Sequence, residues 1–270
     1  MVMTGRSLFG MRLRRLLWAR RGTHLPVGIT IGRLAQQAAV PSAELGLIVR
    51  GTAPSPEILK RLGPALGLPV ADLFVIAGLP VPPELASAWP TNHGNVGTIL
   101  RYAIGLSPER RGWLAGAIGS LPVEPRTGPA PPDEYLDQPG ALLIRLLKNR
   151  NIRPNARLLM EIGDGPYVAD STIGMLGPGR VAVTPRYVTA FAYLLGYPPA
   201  EMVALTGVGP VDEEAKPHPA SAELAALAWQ ARRLSSDQLS HLVDLLEDTR
   251  RLRPSAVSAD GSSESRDGES

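Results

Sequence analysis

The feature that most restricts this chain is an internal repeat. Leu66-Gly67-Leu68-Pro69-Val70-Ala71-Asp72-Leu73 recurs as Leu195-Gly196-Tyr197-Pro198-Pro199-Ala200-Glu201-Met202, a shift of 129 positions. Gly78-Leu79 meets Gly207-Val208 at the same shift. Ala103, Leu106, Ser107, Glu109 and Leu114 meet Ala231, Leu234, Ser235, Asp237 and Leu242 at a shift of 128, and Gly51 meets Gly179 at 128. Separated blocks that hold one register to within a residue imply two diverged copies of one module. Two copies of this length are too few and too long for a solenoid, so tandem globular modules are expected.

Each copy reads as helices. In the first, Leu13, Leu16 and Leu17 with Arg20-Arg21 form a short amphipathic helix ended by Gly22. Thr30 can N-cap a second helix, Ile31 to Ala39, with Leu34, Ala35 and Ala38 inward. Pro41 opens a third that turns Leu45 and Ile48 inward and stops at Gly51, a residue suited to a left-handed C-terminal turn. A fourth spans about 57–66 and a fifth Val70 to Ala77. In the second copy the corresponding helices are Ala141 to Asn149, Asn155 to Ile162, Asp170 to Leu176, Pro185 to Leu195 and Pro199 to Leu205. Each copy then adds an amphipathic helix or hairpin, Val96 to Leu121 and Ala220 to Leu252. Val181 to Thr184 is the one short strand candidate. The expected fold is therefore all-α, with modules at 11–121 and 140–252, a Pro/Gly-rich semi-extended spacer at 122–139 and a disordered Ser/Gly/acid tail at 253–270.

Charge is divided unevenly between the halves. Residues 1–122 hold 13 basic and 5 acidic side chains, a balance of +8, whereas 123–270 hold 15 and 20, a balance of −5. The first half is thus the one suited to a polyanion. Cysteine is absent, which removes disulfides, cysteine-ligated metals and cysteine nucleophiles. The four histidines are scattered, so no metal site is expected. No phosphate-binding glycine loop or nucleophile elbow occurs, so no catalytic residue and no cofactor is expected and the chain is read as a non-enzyme. Apolar runs such as Leu73 to Leu79 are far short of a bilayer span, and arginines interrupt the apolar stretch near residue 11 where a secretory leader needs continuity. A cytoplasmic protein without membrane contact is expected.

The segment from Ile31 to Gly51, followed by the Leu66-Gly67-Leu68-Pro69 block, resembles the phage-repressor (Cro-like, or Xre) helix-turn-helix family. Leu34-Ala35 and Val40 stand where that family anchors its second helix and turn, Leu45 and Ile48 where it anchors the third helix, and Arg50-Gly51 close it. Residues 168–179 keep the Ser171-Thr172-Ile173 core and the final glycine. The resemblance implies two five-helix, lambda-repressor-like domains and a transcriptional regulator that binds double-stranded DNA. A helix fits the B-DNA major groove, and its early residues reach base edges. On that reading Ser42, Ala43, Glu44 and Leu47 face the groove, as do Asp170, Ser171, Thr172 and Met175 in the second copy. Thr30 presents its hydroxyl and amide region to the DNA backbone, and Arg12, Arg14, Arg15, Arg20, Arg21 and Arg33 supply sequence-independent attraction. The family usually binds as a dimer, and helices 106–121 and 234–252 are candidates for homodimer contacts or for packing on their own module.

Two departures keep a second reading open. Leu47 and Met175 stand where the family often places a polar reader, and Glu44 and Asp170 would repel phosphate. A protein-interaction adaptor that keeps the helix-turn-helix frame without reading DNA is the alternative. Trp18, Trp113 and Trp229 are expected in the core.

Overall fold

The architecture is given by a computed structural model that describes residues 7–20, 30–88, 95–123 and 135–251. Fourteen helices and no strand occur among them. The first half contributes α1 (Phe9–Ala19), α2 (Ile31–Gln37), α3 (Ser42–Val49), α4 (Pro56–Leu66) and α5 (Val70–Ala77), then α6 (Asn95–Ile104) and α7 (Pro108–Ser120). The second contributes α8 (Pro139–Lys148), α9 (Ala156–Gly163), α10 (Asp170–Leu176), α11 (Pro185–Leu195) and α12 (Pro199–Thr206), then α13 (Ser221–Ala231) and α14 (Ser236–Arg251).

Local chemistry sets the helix ends in the same way in both halves. Pro56 and Pro185 stand in the first turns of α4 and α11, where no amide donor is needed. Gly67 and Gly196 end these helices at φ +60° and +78°, a conformation that disfavours a side chain. Thr30 caps α2 by accepting from the Arg33 amide at 3.3 Å, and Asn155 caps α9 by accepting from Leu158 at 2.9 Å. Residues 181–184, the expected strand, are irregular chain leading into α11.

One apolar cluster runs through both halves, from Phe9 and Leu13 through Phe74 to Leu142, Phe191 and Leu246. The pairing of helices across it is reciprocal. First-half α1 packs on second-half α12, and second-half α8 packs on first-half α5. Of the spacer expected at 122–139, the described end lies against the two halves. Pro139 begins α8, Arg145 donates to the Tyr135 carbonyl at 2.6 Å, and Asp137 accepts from Arg12 of α1 at 2.7 Å. Residues 124–134 of the spacer and the tail beyond 251 lie outside the described residues.

The C-terminal additions of the two halves are hairpins, broken at 105–107 and 232–235, and they pack on each other. Here too the pairing crosses over, α6 against α14 and α13 against α7. Leu114 and Ile118 of α7 and Leu239, Leu242 and Leu246 of α14 are buried. Arg111 donates to Glu223 at 2.6 Å and Tyr102 to Glu247 at 2.6 Å, joining one hairpin to the other. Among the described residues, Leu114, Ile118, Leu239, Leu242 and Leu246 of the apolar stripes expected at 106–121 and 234–252 are therefore covered within the chain. Trp18 and Trp113 depart from expectation, being 71% and 50% exposed. On α1 the buried stripe is Leu13, Leu16 and Leu17, and Trp18 follows Arg14 by four residues on the outer face.

Candidate nucleic-acid interface

α3 is shaped by a simple division of its residues. Leu45 and Ile48 are buried against α1 and α2, while Ser42, Ala43, Glu44 and Leu47 face solvent, Leu47 at 49% exposure. The α2–α3 turn places Ala39 at φ +50°, and Arg61 of α4 holds the Ala39 carbonyl at 3.1 Å. Arg50 closes α3 and lays its guanidinium beside Gly46. Arg33 is exposed on α2. Thr30, Arg33 and the α3 face are thus brought onto one helix pair, with Arg50 and Arg61 at its edges; Arg61 was not singled out by sequence, and Arg50 only as the residue that closes the helix.

The arginines of α1 separate into different environments. Arg14 and Arg15 are exposed and line a cleft of about 630 Å³ between α1 and α12, together with Trp18, Ile31 and Val203. Arg12 is buried, donating to the Ile76 carbonyl and to Asp137, both at 2.7 Å. Arg20 is engaged with Glu201 and the Leu66 carbonyl. Both guanidiniums are thus taken up by a carboxylate and a main-chain carbonyl of the fold itself. Arg21 lies outside the described residues.

The second half keeps the frame with a different outer face. Ile173 and Leu176 of α10 are buried, Ser171 is exposed, Thr172 is half-buried and Met175 is 36% exposed. Asp170 reaches the surface, but its carboxylate accepts the Ala156 amide at 2.6 Å, bonding the start of α10 to the start of α9. The loop before α10 carries Tyr167 at 91% exposure. α9 is also packed by α6, where Gly97 approaches Leu158, with Ile152 of the preceding turn nearby.

The contact between the halves holds most of the buried charge. Arg20, just after α1, donates from Nε and Nη2 to Glu201 of α12 at 2.8 and 2.7 Å, and from Nη1 to the Leu66 carbonyl at 2.6 Å. Arg150, just after α8, donates to both oxygens of Asp72 on α5 at 2.7 Å and to the Leu195 carbonyl at 3.2 Å. Positions 66 and 195, and 72 and 201, are repeat equivalents at a shift of 129, and the arginines follow at 130. Asp72 also accepts from Tyr197 Oη and Asn149 Nδ2, both at 2.7 Å. Burial opposes charge on Asp72, but Arg150 and these hydrogen bonds hold its carboxyl below the usual range. Burial and the neighbouring Asp72 carboxylate push the Tyr197 hydroxyl well above its ordinary value. Trp229 of α13 lies between two guanidiniums, Arg150 at 4.5 Å and Arg232 at 3.9 Å. Burial, and then the charge of Arg150, lower Arg232 to about 10. Sequence reading missed these contacts, although a carboxylate at both 72 and 201 in the repeated block was the visible signal.

Among the described residues no group of three His, Cys, Asp or Glu side chains is placed to hold a metal, and no helix is long and apolar enough to cross a membrane. Comparison with known protein families, curated proteins and solved structures finds no match.

Proposed function

We propose that each set of five helices is a phage-repressor-type helix-turn-helix module and that the protein is a DNA-binding regulator acting through α2 and α3 of the first half. The observation that carries this reading is the outward face of α3, Ser42 to Leu47, with Arg33, Arg50 and Arg61 near its edges in the half of the chain that carries +8. An exposed helix of this length fits a major groove, and arginines beside it supply the phosphate attraction that dominates affinity. Met175 and the engaged Asp170 make α10 the poorer reader.

The test is fluorescence anisotropy on a mixed-sequence duplex over a range of salt. Affinity is expected to rise steeply as salt falls. Arg33→Glu with Arg50→Glu should abolish low-salt binding while the helical melt by circular dichroism persists. Each lost phosphate contact should flatten the log–log salt slope by about 0.9. Arg14→Glu with Arg15→Glu reports whether the α1–α12 cleft also meets the backbone. Indifference of the intact protein to DNA at low salt would sink the reading. That outcome favours the adaptor, for which the exposed Leu47, Met175 and Tyr167 are the apolar contact points.

A further inference from the structure

We infer that the second half is the first half's built-in partner subunit, so that the protein is a monomer that meets DNA as a single chain at a site without two-fold symmetry. The clause about DNA rests on the reading proposed above; the clause about pairing does not.

In a two-fold dimer interface, residue i of one subunit meets residue j of the other, and j meets i. This chain builds that pattern inside itself. Arg20 of the first half reaches Glu201 of the second, and Arg150 of the second reaches Asp72 of the first. Each arginine also performs the same second task, donating to the last carbonyl of the fourth helix in its own half, Leu66 or Leu195. The helices repeat the exchange, α1 with α12 and α8 with α5, and so do the hairpins, α6 with α14 and α13 with α7. A tandem pair that merely touched would not repeat the same arginine clamp and the same helix pairings in both directions. The surfaces with which two copies would pair are therefore already covered. Tethering keeps them covered at any protein concentration, because the partner is always present at high effective concentration.

The outer faces have meanwhile diverged. Asp170 is bonded to the first amide of α9, and α6 is packed along α9. In the first half, the equivalent α2 packs on α3 and α4 as α9 packs on α10 and α11, but among the described residues neither hairpin lies along it as α6 and α13 lie along α9. Equivalent interiors with unlike outer faces give one chain that presents two different surfaces, and a palindromic target has no counterpart in it.

The mass of the full chain, measured by light scattering over a wide concentration range, should stay that of one chain. Concentration-dependent doubling overturns the inference. A protease site placed within 124–134 provides a second readout: after cleavage the two pieces should elute together with the mass of the intact chain, and their separation overturns it as well. Titration of a duplex at concentrations far above Kd should saturate at one chain per site, and two chains per site overturns the DNA clause. If the chain is monomeric, stays together when cleaved and ignores DNA, the pairing stands and the regulator reading falls.

Discussion

The two charged clamps between the halves occupy equivalent places, yet their surroundings differ. Asp72 and Arg150 are almost completely buried, at 0% and 2% side-chain exposure, whereas Arg20 and Glu201 keep 11% and 13%. The buried clamp has gained two hydrogen bonds at positions where the other copy is apolar: Tyr197 stands opposite Leu68 in the repeat, and Asn149 opposite Ala19. Trp229 then covers the Arg150 guanidinium. The difference teaches that one ancestral contact can become a sealed polar core on one side and a half-open bridge on the other. The sealed side is held by hydrogen bonds that satisfy each oxygen of Asp72, and the other side keeps a small part of its charge within reach of solvent.

The sharpest way to break that comparison is to remove one carboxylate at a time. Asp72→Ala leaves Arg150 buried without its anion and should cost about 3–5 kcal/mol in urea unfolding. Glu201→Ala, at the equivalent place, should cost about 1–2 kcal/mol, because water can reach Arg20. Equal losses would mean that the two sites do not differ in the way their burial indicates. Between these two in size is Tyr197→Phe, which removes one hydrogen bond to a buried carboxylate with little change in shape. A loss of about 1.5–3 kcal/mol is expected, provided the Asp72 network is intact, and the effect should nearly vanish in an Asp72→Ala background.

Acid sharpens the same contrast. The Asp72 carboxyl is ionised below its ordinary value of 3.8, so its stabilisation is complete above that pH and is lost as pH falls through the lower folded value. The melting temperatures of wild type and Asp72→Asn should therefore converge toward the acid end. A gap that stayed constant through that range would show that the charge of Asp72 is not what matters. The smallest effect concerns salt. The penalty of Glu201→Gln should shrink as sodium chloride is raised, while that of Asp72→Asn should hardly change, since screening acts on exposed charge.

Helix boundaries were legible in the sequence because their determinants are local. Pro185, Gly196 and the register of Val188, Phe191 and Leu195 define α11 without reference to anything distant. The faces of short helices were less legible. Trp113 neighbours the buried Leu114, but the inward stripe is Arg111, Leu114 and Ile118, which turns the indole outward. Ser42, Ala43, Glu44 and Leu47, expected on the outer side of α3, are exposed. The fate of Arg12 and Arg20 was not legible, since their carboxylates lie 125 and 181 residues away and no local pattern announces such a meeting. The repeat itself held the missing information: Asp72 and Glu201 share a position, and each needs a cation from the opposite copy.

Gly10 and Gly140 carry a mechanical consequence. A Cβ at Gly10 would run into the Ile48 carbonyl oxygen at the end of α3, and one at Gly140 into that of Leu176 at the end of α10. At these points main chain rests directly on main chain, with no side-chain torsions between them to absorb a displacement. α3 and the strut beneath it, α1, are therefore constrained to tilt together, and because α1 is fastened through Arg20 to the far half, a displacement of α3 bears directly on the seam.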